Sequence, residues 1–377
     1  MSSILGALPV AQFLAEFWQK QPCLVRGALP SYTPPIDPDD LAGLACEPEA
    51  ESRLVCGRYP GTDWTLRHGP FNAQDFAKLP DAGWTLLVQD VEKHYPPLQE
   101  ILKHFDFLPT WRLDDLMVSY ATPEGSVGPH VDQYDVFLLQ VQGQRLWQIA
   151  TDFDPELLEH CPLNVLAHFE PEQEWILKPG DMLYLPPGVA HHGVALDECM
   201  TWSVGLRAPS AADLLLAMGE ELGAREDGGG RYADPDLHPS RPGEFDDSAL
   251  ERMRKLLGSA TREGSEFAEF AAGFMSRFNL ALEPANPKPE LGPAALWQRL
   301  QAGERLLRNP WTRLTWIERN DEALLFAAGH GVACTVELAV LLCSDPEPDL
   351  FSRAPREAEL AAIVELVNRG HLVLSSD

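Results

Sequence analysis

Between positions 111 and 207 apolar residues come in short runs of strand length: LMVSYAT, DVFLLQV, RLWQIA, EWILK, DMLYLPP, HHGVAL and MTWSVGL. Each is rich in β-branched or aromatic residues, and turn signals such as QGQ and KPGD separate them. Many short strands at close spacing predict a sandwich or barrel, here a jelly roll, with at most a turn around DPELLEH. Upstream, residues 9–20 carry a helical pattern and CLVRGAL reads as a short strand. WTLLVQDV (84–91) reads as a strand and LQEILKHFDFL (98–108) as a helix, with loops and short elements filling the rest of 30–110.

After APS (208–210) the period becomes helical. AADLLLAMGEEL, SALERMRKLLGSA and EFAEFAAGFMSRFN predict helices, the first two separated by a polar, Gly-rich gap, and LEPANPKPELGP (282–293) reads as a linker. AALWQRLQAG, TVELAVLLCS and EAELAAIVELVNRG then predict helices, with RLTWIER and HLVL as small strands. That combination resembles a winged-helix module. The expected organisation is α+β: a domain over 1–208 with its core from about 95, a helical region over 209–284, and a winged-helix-like module over 285–377.

A chain of 377 residues with 45% apolar and 23% charged residues has the composition of a soluble globular protein of two or three domains. Seven scattered cysteines with no CxxC argue against a disulfide framework and against a cysteine-ligated zinc site. The first residues have no basic segment before an apolar one, and no apolar run approaches membrane-spanning length, so the expected location is cytoplasmic and away from membranes. The net charge of −28 repels phosphate backbones. Residues 286–377 carry nine Lys and Arg against thirteen Asp and Glu, so direct nucleic-acid binding is not expected there either. An acidic surface suits a basic protein partner, and it serves solubility equally well.

One stretch, GPHVDQYDVFLLQVQG (128–143), sets His130 and Asp132 two apart at the mouth of a strand. Strand residues two apart point to the same side, so both can reach one ion. His104 and Asp106 have the same spacing in a stretch that reads as helix, where residues two apart diverge. His168-Phe169-Glu170 reads as a loop. A third ligand can come from LKPGDMLYLPPGVAHHGVAL, where His191 and His192 enter another strand on opposite faces, so only one of them can join. Two imidazoles and one carboxylate form the facial triad of non-haem Fe(II) oxygenases, and zinc accepts the same donors.

GPHVDQYDVFLLQVQGQRLWQI, LKPGDMLYLPPGVAHHG and WSVGLRAP together resemble the JmjC (cupin-type) 2-oxoglutarate oxygenases. Within that family they most resemble the bacterial ribosomal oxygenases, which hydroxylate an arginine of large-subunit ribosomal protein sixteen. FWQKQPCLVRGA also fits that group, and the likeness spans most of 1–208. The resemblance selects His191, which closes PPGxxH, as the distal metal ligand beside His130 and Asp132. It implies a double-stranded β-helix fold, Fe(II) as the metal, 2-oxoglutarate as cosubstrate and dioxygen as co-reactant. Arg145 matches the family's binder of the far carboxylate of 2-oxoglutarate, and Ser119 the matching hydroxyl donor. Asp115, Met117, Tyr134 and Ser203 match the arginine pocket, and alternation independently puts Asp115, Met117 and Ser119 on one face. The expected reaction is hydroxylation of the arginine β-carbon of a basic ribosomal protein, with succinate and CO2 as coproducts. The helical region, with its apolar faces LLLAM and FAAGFM, then reads as a homodimer interface.

Plainer readings compete: Arg145 as a surface arginine in a hairpin, Met117 as core, Tyr134 as a loop anchor, Asp115 as a cap. A histidyl hydroxylase or lysyl demethylase of the same fold keeps the metal site and changes the substrate, since an aspartate does not distinguish arginine from methyl-lysine. A metal-free cupin-like scaffold is the remaining rival class, beside a winged-helix regulator with a sensory β domain.

Overall fold

The computed structural model describes residues 4–30, 32–225, 228, 230–235, 245–260, 264–277, 290–350 and 356–375. Two compact units emerge, 1–208 and 209–377. The linker expected over 282–293 lies outside the described residues up to 289, as do 226, 227, 229 and 236–244 of the Gly-rich gap.

The first unit holds twelve strands: β1 (Cys23–Val25), β2 (Ser52–Cys56), β3 (Thr65–His68), β4 (Trp84–Val88), β5 (Leu113–Ala121), β6 (His130–Val131), β7 (Val136–Gln142), β8 (Arg145–Ala150), β9 (Gln173–Leu177), β10 (Met182–Leu185), β11 (Ala190–Ala195) and β12 (Cys199–Leu206). They form an eight-stranded sheet in the order β1-β10-β7-β12-β5-β4-β2-β3 and a four-stranded sheet in the order β6-β11-β8-β9. Every pairing among them is antiparallel.

Alternation along β7 decides which face each side chain takes. Val136 and Leu138 turn inward, where they pack with Trp147 and Ile149 of β8 and Leu183 and Leu185 of β10. Phe137 and Leu139 turn outward into a second core with Trp202, Phe13, Ile101 and Phe105. The outer face of the large sheet is therefore covered by the segments around residues 13, 41 and 98–105, and strand β12 is buried along its whole length. Each large side chain so covered contributes about 1.5–3 kcal/mol.

The stretch expected to be a helix over 98–108 is not a continuous one. It is a single α turn, Gln99–Leu102, between two 3-10 turns, Pro96–Leu98 and Lys103–Phe105. Pro96 and Pro97 fit only the start of such a segment, and burial of Leu98, Ile101 and Phe105 holds the tightened path.

In the second unit the helix Ala211–Gly223 starts at a reciprocal cap, with the Ser210 hydroxyl accepting from Asp213 N and the Asp213 carboxylate accepting from Ser210 N. Helices Asp247–Ala260, Gly264–Met275, Pro293–Gln301, Val336–Ser344 and Glu357–Asn368 follow. Strands β13 (Arg305–Arg308) and β17 (Leu372–Ser375) pair, and β14 (Leu314–Arg319), β15 (Glu322–Ala327) and β16 (His330–Cys334) form a meander. Helix Gly264–Met275 is tied to the meander by Thr315 Oγ1 donating to Ala272 O at 2.7 Å. Phe270 of that helix packs with Ala217 and Met218 of Ala211–Gly223.

Candidate metal centre

Strands β6 and β11 run antiparallel with His130 directly opposite His191. The Pro-Pro-Gly corner before β11 is latched to the other arm, since Gly188 N donates to Asp132 O at 2.8 Å. Strand register therefore brings the HxD pair and the distal histidine together, with ring centroids 4.2 Å apart. One ligand atom from each of His130, Asp132 and His191 lies within 4.8 Å of the other two.

The hydrogen bonding of the two rings fixes which nitrogens are free. His130 Nδ1 lies 3.0 Å from Gly128 O, and His191 Nδ1 lies 3.1 Å from Val189 O. A carbonyl can only accept, so both rings carry their proton on Nδ1 and leave the Nε2 lone pair open. Asp132 Oδ2 is 3.9 Å from His130 Nε2 and 3.7 Å from His191 Nε2, too far for hydrogen bonds. Two ligands about 2.1 Å from a common centre are separated by at most roughly 4.2 Å, and both distances fall inside that span. Burial and the neighbouring His130 push the His191 imidazole down to about 4, which keeps it neutral and able to ligate. The donor set fits a divalent metal.

His192 takes the opposite face of β11, edge-on to Tyr59 at 5.6 Å and Phe169 at 6.0 Å. His104 lies in the 3-10 turn Lys103–Phe105 and belongs to no ligand group of three among the described residues. His168 instead joins Asp154 and Glu156 in an exposed group in the loops.

On β8, Arg145, Trp147 and Ile149 share the inward face, opposite Ala195, Gly193 and His191 of β11. The Trp147 ring links the two corners, 5.9 Å from the His191 ring and 5.2 Å from the Arg145 guanidinium carbon. Arg145 is 3% exposed and donates to Gly193 O at 3.2 Å, while its Nε has no partner. Among the described residues no carboxylate pairs with it. A Cβ on Gly193 would stand 2.6 Å from Arg145 Nε, so only glycine lets the guanidinium lie across that strand. A buried cation without a counter-ion is costly, and an acidic ligand relieves that cost. The residues present therefore fit the far carboxylate of 2-oxoglutarate. Ser119 is buried nearby on the large sheet, with its hydroxyl proton given to Thr201 O at 3.2 Å.

Met117 pairs with Ser203 and Ser119 with Thr201 across β5 and β12, so Asp115, Met117, Ser119 and Ser203 lie on one face. The alternate residues Leu116 and Val118 enter the outer core. Asp115 is half-buried, and its carboxylate lies across Gly205, where a Cβ would come within 2.9 Å. Burial pushes this carboxyl up to about 8, with Glu92, Asp90 and Asp114 adding to the rise and Lys93 opposing it. Tyr134 is 41% exposed, yet its hydroxyl is raised, first by desolvation and then by the charges of Asp132 and Asp115, with Arg53 opposing.

Sequence reasoning missed three groups here. Asp135 is fully buried and anchors the loop that carries Asp132 and Tyr134: it accepts from Arg112 at 2.7 Å, Tyr184 OH at 2.6 Å and Gln19 Nε2 at 2.9 Å. Its one sequence signal is an acid at the lip of an apolar run. Glu92 is buried and accepts from Leu116 N at 2.9 Å, one residue from Asp115. Arg53 touches Met117, and nothing in the sequence marks it.

Two sheets facing each other around an inward-facing His/Asp/His set and a buried arginine define a cupin-type, metal-dependent oxygenase barrel. A family model described as the JmjC domain matches residues 100–214. The chain is 37% identical over 300 residues to the ribosomal protein uL16 3-hydroxylase of Escherichia coli (strain K12), covering 78% of this chain and 79% of that protein. It is similar in structure to E. coli YcfD, with TM-score 0.87 and 33% identity over the whole of both chains. A second structure of YcfD, a ribosomal oxygenase in complex with cobalt and 2-oxoglutarate, gives TM-score 0.81 over 98% of each chain. The chain belongs to the JmjC-domain ribosomal oxygenases.

Proposed function

We propose that this protein is an Fe(II)- and 2-oxoglutarate-dependent hydroxylase of a ribosomal protein, acting on the β-carbon of an arginine side chain. The observation that carries the reading is the pairing on one inward surface of two Nε2 lone pairs and a carboxylate with a buried, uncompensated Arg145 guanidinium. His130, Asp132 and His191 would hold the iron, and Arg145 the far carboxylate of 2-oxoglutarate. When bound, iron and 2-oxoglutarate supply the oxidising chemistry, with succinate and CO2 formed and one oxygen atom from dioxygen delivered to the substrate.

The chain's own residues orient and select. The Nδ1 hydrogen bonds to Gly128 O and Val189 O fix both imidazole planes before any metal arrives. Apolar neighbours of Trp147 and Ile149 keep water from the inward face. In the substrate pocket, Asp115 would take the guanidinium, Met117 and Tyr134 would flank the methylenes, and Ser203 would offer a hydroxyl. Transfer of the uL16 substrate from the E. coli relative supports the same choice.

Succinate release from 2-oxoglutarate with Fe(II), measured with and without uL16, tests the reading. Turnover stimulated by uL16 is expected; iron binding without turnover under either condition removes it.

The remaining parts of the reading concern assembly. Under it, 209–284 serves dimerisation and 285–377 is a winged-helix-like module that does not contact nucleic acid. Leu215 and Leu216 on helix Ala211–Gly223 are 64% and 70% exposed, and Leu257 on Asp247–Ala260 is 70% exposed, which supports a second copy as their cover. A solution mass of one chain at micromolar concentration contradicts that. No helix among the described residues is long and apolar enough to cross a membrane, and a ribosomal protein as substrate supports a cytoplasmic location.

A further inference from the structure

Within the first unit Arg26, Arg58, Arg67 and Arg112 each meet a carboxylate. Arg145 does not, and a dicarboxylate cosubstrate explains it. Arg53 also does not, and it is not among the residues assigned to the cosubstrate's far carboxylate. Among the described residues its Nε is shielded from solvent with no hydrogen-bond partner, and its guanidinium lies 3.9 Å from the Met117 thioether. Arg53 is half-buried, and a thioether is a weak acceptor for a guanidinium that keeps its charge.

The position is specific. Strand register aligns Arg53 with Leu87 and Leu87 with Ser119, so one row across the large sheet runs from Arg53 to the serine assigned to the cosubstrate. The side chain reaches Met117, which in the functional reading runs along the target's methylenes. On that reading the target side chain is itself a cation, and a second cation beside it repels it unless an oxygen intervenes. The polypeptide brings such an oxygen in its own backbone.

We infer that Arg53 is a substrate-binding residue that donates to a main-chain carbonyl of the bound polypeptide, while Asp115 takes the side-chain cation. The inference rests on the proposed function. It makes the pocket read a residue within a chain: one charged group recognises the side chain and another the backbone that carries it.

The test uses the full chain and a uL16 peptide containing the residue that gains oxygen. Arg53→Met keeps the stem and removes the donors. A hydrogen bond from a charged donor is worth about 1.5–3 kcal/mol, so peptide Kd by calorimetry and KM are expected to rise on the order of 10- to 100-fold. The kcat and the KM for 2-oxoglutarate are expected to stay within about twofold, and Arg53→Lys to recover part of the loss. Peptides with an alkene replacing the amide on either side of the target then complete a cycle. One of them is expected to bind the parent protein as weakly as Arg53→Met binds the normal peptide, with no further loss in the variant. Unchanged peptide affinity in Arg53→Met overturns the inference, as does an equal loss for 2-oxoglutarate. So does an alkene series that the two proteins bind in the same ratio. A parent protein that binds 2-oxoglutarate but leaves the peptide unmodified sinks the functional reading first, before any variant is compared, and the inference falls with it.

Discussion

His192 stands one residue from a proposed metal ligand and faces the other way, packed against Tyr59 and Phe169. Asp132→Ala is therefore expected to abolish stoichiometric metal binding, while His192→Ala leaves it nearly intact; calorimetric metal titration separates them, and equal loss in both means the wrong histidine was chosen. Arg145→Ala removes two or more charge-assisted contacts and is expected to raise the KM for 2-oxoglutarate by on the order of 100-fold, with metal affinity unchanged. Asp115 carries a pH dependence of definite sign. A guanidinium needs the carboxylate, so substrate affinity is expected to rise as pH rises through about 8, and Asp115→Asn to lose that rise. Stability moves the opposite way. Asp115 and Glu92, raised to about 8 and about 7, hold protons in the folded protein that the unfolded chain releases near pH 4. Stability is thus expected to fall as pH rises between those limits, and Glu92→Gln to flatten the fall in denaturant midpoints. The HxD pair was legible because strand spacing and the family resemblance both reach it, whereas Arg145 was reached through the resemblance alone. Arg53 and Glu92 were not legible, because their meaning comes from partners 64 and 24 residues away.

At the level of elements, the metal corner depends on a two-residue strand, β6, whose register with β11 has little of its own to enforce it. Enforcement comes from both flanks. Gly188 N grips Asp132 O on one side, and the Asp135 carboxylate binds Arg112, Tyr184 and Gln19 on the other. Breaking a buried ion pair by removing one partner costs about 3–5 kcal/mol, so Asp135→Ala is expected to lose about that much in chemical denaturation. A loss under about 1 kcal/mol would show that the loop is held otherwise. The strands of the barrel could be read in the sequence because their apolar alternation is locally complete, as in VFLLQV over β7. β2 and β3 could not: SRLVC and TLRH are short, and in β3 mostly exposed, so their pattern is completed only by pairing with each other and with β4. The helix expected over 98–108 failed because helical periodicity and a succession of tight turns bury the same residues, and only the two prolines argued for the latter.

Over the whole molecule the chain carries a net charge of −28, and Asp115 is a candidate cation receptor. Under the proposed function, long-range attraction would gather a basic ribosomal protein and Asp115 would select one side chain from it; added salt is expected to weaken the first and spare most of the second. Composition alone could not separate that role from mere solubility, because charge count carries no direction until a receptor is placed within it. The most direct test is the intact mass of uL16 after incubation with this protein, Fe(II), 2-oxoglutarate and air. The expected result is a gain of one oxygen on a single arginine, absent with Asp132→Ala. A mass unchanged while iron and 2-oxoglutarate are both bound, or a loss of methyl groups, contradicts arginine hydroxylation.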